Sequence, residues 1–116
     1  MKEFYEQLGL DYSEVLGRLG NDVIIKKFVV KFLNDASFRD LKEGLEQKDG
    51  EKAFRAAHTL KGICLNLGFS NLYTPSNELT EKLRGREVKD CDALFVQVQT
   101  EYERLAEAIK KIADAN

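Results

Sequence analysis

Apolar residues recur every three or four positions along most of this chain, which is the repeat of one face of an α-helix. The stretch from Ile25 to Phe32 shows the pattern, and the stretch from Leu94 to Ile112 sustains it for about five turns. A single proline among 116 residues leaves few breaks in regular structure. No segment alternates apolar and polar residues as a half-buried strand does. The sequence therefore predicts an all-α fold.

Capping residues indicate where the helices begin. Asp11, Asn21 and Asp49 can each accept a hydrogen bond from the first turn of a helix, and Thr74 followed by Pro75 favours a helix start. The connections are short, so we expect an antiparallel four-helix bundle from the last four helices, with additional short N-terminal helices packed against it. The predicted helices are 2–8, 12–19, 22–34, 37–48, 50–68, 74–84 and 91–114.

Length, charge and cysteine content narrow the class of protein. The chain has 43% hydrophobic and 33% charged residues, which predicts one globular domain over 1–116. A net charge of -2 argues against nucleic acid as a partner. With only Cys64 and Cys91, no disulfide scaffold is predicted and a reducing compartment fits. No signal peptide or membrane span is recognisable, so we expect a cytoplasmic protein.

The sequence contains one histidine, His58, inside the helix predicted over 50–68. At about 100° per residue, most apolar residues of that helix share a sector of about 120°, and His58 lies on the opposite side. We therefore expect the imidazole to face water. The expected core stripe consists of Ala53, Ala56, Ala57, Leu60, Ile63, Cys64 and Leu67.

Phe54 and Leu65 accompany His58 on the outward face, and Gly62 presents no side chain on the turn that follows it. Exposed apolar residues around a polar centre are typical of a protein docking surface. The alternative is that one or both of these residues are buried beneath the N-terminal helices.

Two cations lie within reach of the imidazole. Lys61 is at i+3 from His58 and Arg55 is at i−3, so both can approach a group attached to the ring. A dianionic group would be stabilised there, whereas a metal ion would be repelled. No cluster of His, Cys and carboxylate residues surrounds His58 in the sequence, so no metal site is predicted.

Residues 57–62 read Ala-His-Thr-Leu-Lys-Gly, and Leu-Gly follows at 67–68. This segment resembles the signature of histidine-containing phosphotransfer (HPt) domains of two-component phosphorelays. The resemblance extends to 9–11 and 18–20 near the N-terminus and to 78–84 after the histidine helix.

The resemblance implies that His58 is the phosphoryl acceptor and that Lys61 stabilises the phosphate. Gly62 would be the small residue that lets the partner's active site approach. The residues expected to dock the partner are Phe54, Arg55, Gly62 and Leu65.

The implied partners are response-regulator receiver domains, for which a hybrid histidine kinase is one source. His58 would accept a phosphoryl group from a receiver's aspartyl phosphate and pass it to another receiver. The chain shows no glycine-rich nucleotide loop, so we expect a phosphoryl carrier without ATP-dependent kinase activity. We also expect a monomer, because the bundle is self-contained. No cofactor is expected on this chain, and Mg²⁺ is expected in the partner receiver domain.

Three alternatives are open. The first is a helical binding module that docks a signalling partner without being phosphorylated, although the presence of both His58 and Lys61 counts against it. The second is a dimerising histidine-kinase segment, which needs a nucleotide domain and a dimer seam. The third is an enzyme that uses His58 as a general base, for which no orienting acid is identifiable.

Overall fold

A computed structural model describes residues 1–115, and within them the chain is helical with no β-strand. None of the helices in this described part is both long enough and apolar enough to cross a bilayer. The elements are α1 (Lys2–Gln7), α2 (Tyr12–Leu19), α3 (Asp22–Lys31), a 3₁₀ turn (Phe32–Asn34), α4 (Ser37–Glu46), α5 (Gly50–Leu67), α6 (Ser70–Lys82) and α7 (Asp92–Asp114).

Helices α4 to α7 form the predicted antiparallel bundle. α4 packs on α5, α5 on α6 and α6 on α7. Aromatic side chains join the first of these helices to the last, because the ring of Phe38 stacks on Tyr102 at 4.1 Å and on Phe95 at 5.7 Å between centroids. The expectation of an all-α bundle is confirmed.

Close backbone approach fixes the spacing of α4 and α5. A β-carbon at Gly44 would lie 2.7 Å from the backbone nitrogen of Ala53, closer than such atoms can approach. Glycine at position 44 therefore lets the two helices pack backbone against backbone. The ion pair between Glu43 and Lys52, 3.0 Å between Oε2 and Nζ, lies beside this contact.

The turn between α5 and α6 is built on Gly68. Its φ of 70° lies in the left-handed region that favours glycine. The amide of Phe69 donates to the carbonyl of Cys64 over 2.8 Å, which satisfies one of the last carbonyls of α5. α6 therefore runs straight back along α5.

The start of α6 differs from the prediction made at Thr74 and Pro75. The helix begins at Ser70 and contains Pro75 in its interior. Its first turn is already complete before the proline, because the amide of Tyr73 donates to the carbonyl of Phe69 over 2.8 Å. Pro75 removes only one further intrahelical hydrogen bond, and its ring is buried. The tight turn at Gly68 therefore determines where α6 begins, and the helix-start signal at Thr74 and Pro75 does not.

The three N-terminal helices cover the C-terminal end of α5. The Tyr5 hydroxyl donates to the carbonyl of Leu67 over 2.6 Å. Val15 is fully buried and contacts the turn at Gly68. Asp11 and Asn21 cap α2 and α3 as predicted, each accepting from the backbone amide three residues on.

Candidate functional site

Helix α5 separates a buried stripe from an exposed face as its periodicity predicts. The side chain of His58 is exposed, whereas the core stripe on the other side of the helix is buried apart from Ile63, which is partly buried. Asp49 begins the helix as predicted, because its carboxylate accepts from the amide of Lys52 over 3.1 Å. Cys64 is fully buried in the core, and this burial raises the pKa of its thiol.

The turn after His58 is open. A β-carbon at Gly62 would meet no other atom within 4 Å, and the side chain of Leu65 one turn further is 56% exposed. Both observations agree with the sequence-based expectation for these two positions. The position of Gly62 therefore leaves room for an incoming protein on the turn that follows His58.

Phe54 is a correction to the predicted docking surface. Its side chain is only 8% exposed. It is covered by the segment after α6 and not by the N-terminal helices, since the guanidinium carbon of Arg86 lies 3.9 Å from the ring centroid and that of Arg84 lies 5.6 Å from it. Phe54 still adjoins His58, with 5.9 Å between the ring centroids. Phe54 is therefore a buried neighbour of the imidazole and not part of the exposed docking surface.

Arg55 is exposed as predicted, yet its charge is already engaged. Its Nε donates to the carboxylate of Glu51 over 2.7 Å, one turn back along α5. The same carboxylate accepts from Nε of Arg86 over 2.9 Å. The pKa of the Glu51 carboxyl is held below its ordinary value by the hydrogen bond from Arg86 first and by Arg55 after it.

The carboxylate of Glu81, on α6, lies near Lys61. Hydrogen bonds from Arg84 lower the pKa of Glu81, and the nearby positive charge of Lys61 lowers it further. The Arg84 guanidinium donates to both Glu81 oxygens, over 2.8 and 3.0 Å. The Glu81 carboxylate, which is bound by Arg84, thus lies close enough to Lys61 and His58 to interact with them electrostatically.

Sequence reasoning missed Glu81, Arg84 and Arg86 as residues of this site. They belong to the end of α6 and the segment after it, and only the reversal at Gly68 brings them to the face of His58. The available signal was the pair of arginines flanking Gly85 after the predicted helix.

Among residues 1–115, no group of three or more His, Cys, Asp and Glu side chains has an arrangement that could hold a metal ion.

The model of the Hpt domain family matches residues 32–108 of the chain. The match covers more than half of the sequence and includes the whole of α5, so the chain belongs to the Hpt domain family. A search of curated proteins and a search of solved structures each gave no significant match.

Membership of this family makes the chain a phosphotransfer-type module of two-component signalling. Hpt domains are phosphoryl carriers and not kinases, and they interact with receiver domains of phosphorelay proteins. Helices α1 to α3 precede the matched residues.

Proposed function

We propose that His58 accepts a phosphoryl group from the aspartyl phosphate of one receiver domain and passes it to an aspartate of another. The observation that carries the proposal is the surface around the only histidine of the chain. The imidazole is exposed, Lys61 lies on the same face, and the position of Gly62 leaves the approach open.

The chemistry suits an imidazole. Histidine side chains have a reference pKa of about 6.5, so a ring nitrogen is available as a nucleophile near neutral pH. Attack on the aspartyl phosphate forms a nitrogen–phosphorus bond and breaks the bond between phosphorus and the carboxylate oxygen, which leaves as aspartate. The onward step is the reverse reaction with a second receiver.

The charge that develops in this step is spread over three phosphoryl oxygens, so positioning and electrostatic stabilisation dominate. Lys61 is the residue we assign to phosphate stabilisation. Arg55 and Leu65 belong to the proposed docking surface, and the charge of Arg55 is shared with Glu51. Mg²⁺ is expected on the receiver, where it would neutralise the phosphoryl oxygens.

The test is phosphoryl transfer from a panel of phosphorylated receiver domains to the wild-type chain and to His58→Gln. We expect label that is acid-labile and base-stable on the wild type alone. His58→Gln should melt within about 2 °C of the wild type, because an exposed side chain contributes little to packing.

Label on the wild type and on His58→Gln alike would overturn the assignment to His58. An absence of label from every receiver, with both proteins folded, would favour the non-phosphorylated binding module. Size-exclusion chromatography separates the proposed monomer from a dimerising kinase segment.

A further inference from the structure

Arg86 holds three groups at once beside the histidine helix. Its guanidinium lies over the ring of Phe54, with 3.9 Å from its central carbon to the ring centroid. Its Nε donates to Glu51 over 2.9 Å, and its Nη1 donates to the carbonyl of Arg84 over 2.6 Å. A planar guanidinium can stack on an aromatic face and bind an oxygen at its edge simultaneously, which a lysine ammonium cannot do.

The backbone of Arg86 also makes specific contacts. Its φ of 61° is left-handed, a conformation uncommon for arginine, and its amide donates to the carbonyl of Leu83 over 2.7 Å. The position of Gly50 leaves no room for a β-carbon against the Arg86 carbonyl, so this segment contacts the first residue of α5 directly. The segment after α6 is therefore attached to the N-terminal end of the histidine helix.

Phe54 connects Arg86 to the imidazole, because its ring contacts both residues. Side chains of a helix lean toward its N-terminus, so His58 leans over the residue four positions earlier, which is Phe54. The two rings are tilted by 46° with centroids 5.9 Å apart, within the range of aromatic contact. An exposed histidine without such a neighbour would sample several rotamers.

We propose that Arg86 is a positioning residue for phosphoryl transfer, which it serves by clamping Phe54 against the His58 imidazole so that the ring nitrogen is presented to the incoming phosphorus. This inference rests on the function proposed above. The segment between α6 and α7 would then help to orient His58, although it lies far from His58 along the chain.

The test uses Arg86→Asn, because asparagine tolerates a left-handed backbone and the loop should keep its shape. The matched control is Lys48→Asn, which removes one positive charge from another exposed residue with positive φ, 56°, in the turn before α5. Arg86→Lys keeps the cation but lacks the planar contact with Phe54.

The first measurement is the NMR spectrum of the imidazole, which is unambiguous because the chain has one histidine. We expect Arg86→Asn to shift both carbon-bound proton resonances of His58, because the Phe54 ring is no longer fixed beside the imidazole and its ring-current effect changes. Lys48→Asn should leave these resonances unchanged.

The second measurement is the transfer rate from a phosphorylated receiver as the concentration of the chain is raised.

At saturation we expect Arg86→Asn to slow transfer by about tenfold, with half-saturation changed less than about twofold, as lost orientation predicts. Arg86→Lys should restore only part of the rate. Full restoration by Arg86→Lys would overturn the proposal in favour of simple charge, and a change confined to half-saturation would make Arg86 a docking residue instead.

Unchanged His58 resonances in a folded Arg86→Asn protein would also overturn the inference. This spectroscopic arm needs no transfer, so it remains decisive if the wild-type chain accepts no phosphoryl group and the proposed function itself fails.

Discussion

The Arg18 guanidinium donates two hydrogen bonds to the main-chain carbonyl of Asn66, over 3.1 Å from Nε and 3.0 Å from Nη2. Nη2 also donates to the carbonyl of Leu65 over 2.9 Å. These carbonyls belong to the last turn of α5, where a helix has no internal donors left and carries partial negative charge. A residue of α2, outside the segment matched by the family model, therefore caps the histidine helix.

We expect Arg18→Gln to lower the free energy of unfolding by about 1 kcal/mol, because it removes a charged donor from the carbonyls of the last turn of α5. Urea unfolding of the purified protein measures the change. Arg39→Gln is the control: Arg39 is an exposed arginine of α4 that forms an ion pair with its neighbour Asp40, and its loss should cost less than about 0.5 kcal/mol. Equal effects of the two substitutions would show that the capping hydrogen bonds add nothing.

Gly62→Ala should separate stability from activity. The substitution adds a β-carbon in open space within a helix, so the free energy of unfolding should rise by about 0.5–1 kcal/mol. Transfer should nevertheless slow by about tenfold, since the added group stands where the partner's reacting atoms must approach. Gly17→Ala, in an equally open part of α2, should stabilise the protein without slowing transfer. A fast Gly62→Ala protein would contradict the role proposed for Gly62.

Lys61→Ala should shorten the lifetime of phosphohistidine by about tenfold, equivalent to about 1.4 kcal/mol of lost charge stabilisation. Hydrolysis of the labelled, isolated protein measures the lifetime. Arg55→Ala should have a smaller effect, because the Arg55 guanidinium is already neutralised by Glu51. If both variants keep the wild-type lifetime, Lys61 is only a solvated charge.

Acid should destabilise the fold through Glu51 and Glu81. Their pKa values lie below the ordinary 4.5, for Glu51 chiefly because of Arg86 and for Glu81 chiefly because of Arg84. The unfolded chain therefore binds more protons, so this stabilisation is complete above pH 4.5 and is lost as the pH falls through the folded values. Urea unfolding between about pH 6 and pH 3 should show the decline, and the variant Glu51→Gln/Glu81→Gln should decline less steeply. A pH profile identical to that of the wild type would contradict this origin.

Local chemistry made much of the fold predictable. The caps at Asp11, Asn21 and Asp49 depend on a side chain and an amide three residues apart, so they are visible in the sequence. The outward direction of His58 follows from helical periodicity alone. Both predictions are confirmed because neither needs information from a distant part of the chain.

The errors come from contacts between distant segments. Phe54 falls on the outward face of α5 by periodicity, and only the return of the chain at Arg86 buries it. Thr74 and Pro75 have the local chemistry of a helix start, but the turn at Gly68 sets the beginning of α6 earlier. Neither the burial of Phe54 nor the start of α6 can be predicted from the sequence of α5 or α6 alone.

The histidine helix is held at both ends, by Arg18 at its last turn and by the backbone of Arg86 against Gly50 at its first residue. We expect a helix fixed in this way to keep its arrangement when the histidine is phosphorylated. In the proposed relay, the message would consist of the occupancy of one nitrogen atom and not of a change in shape. The direction of flow would then follow from the relative amounts and phosphorylation levels of the receivers, and the same surface would serve as entrance and exit.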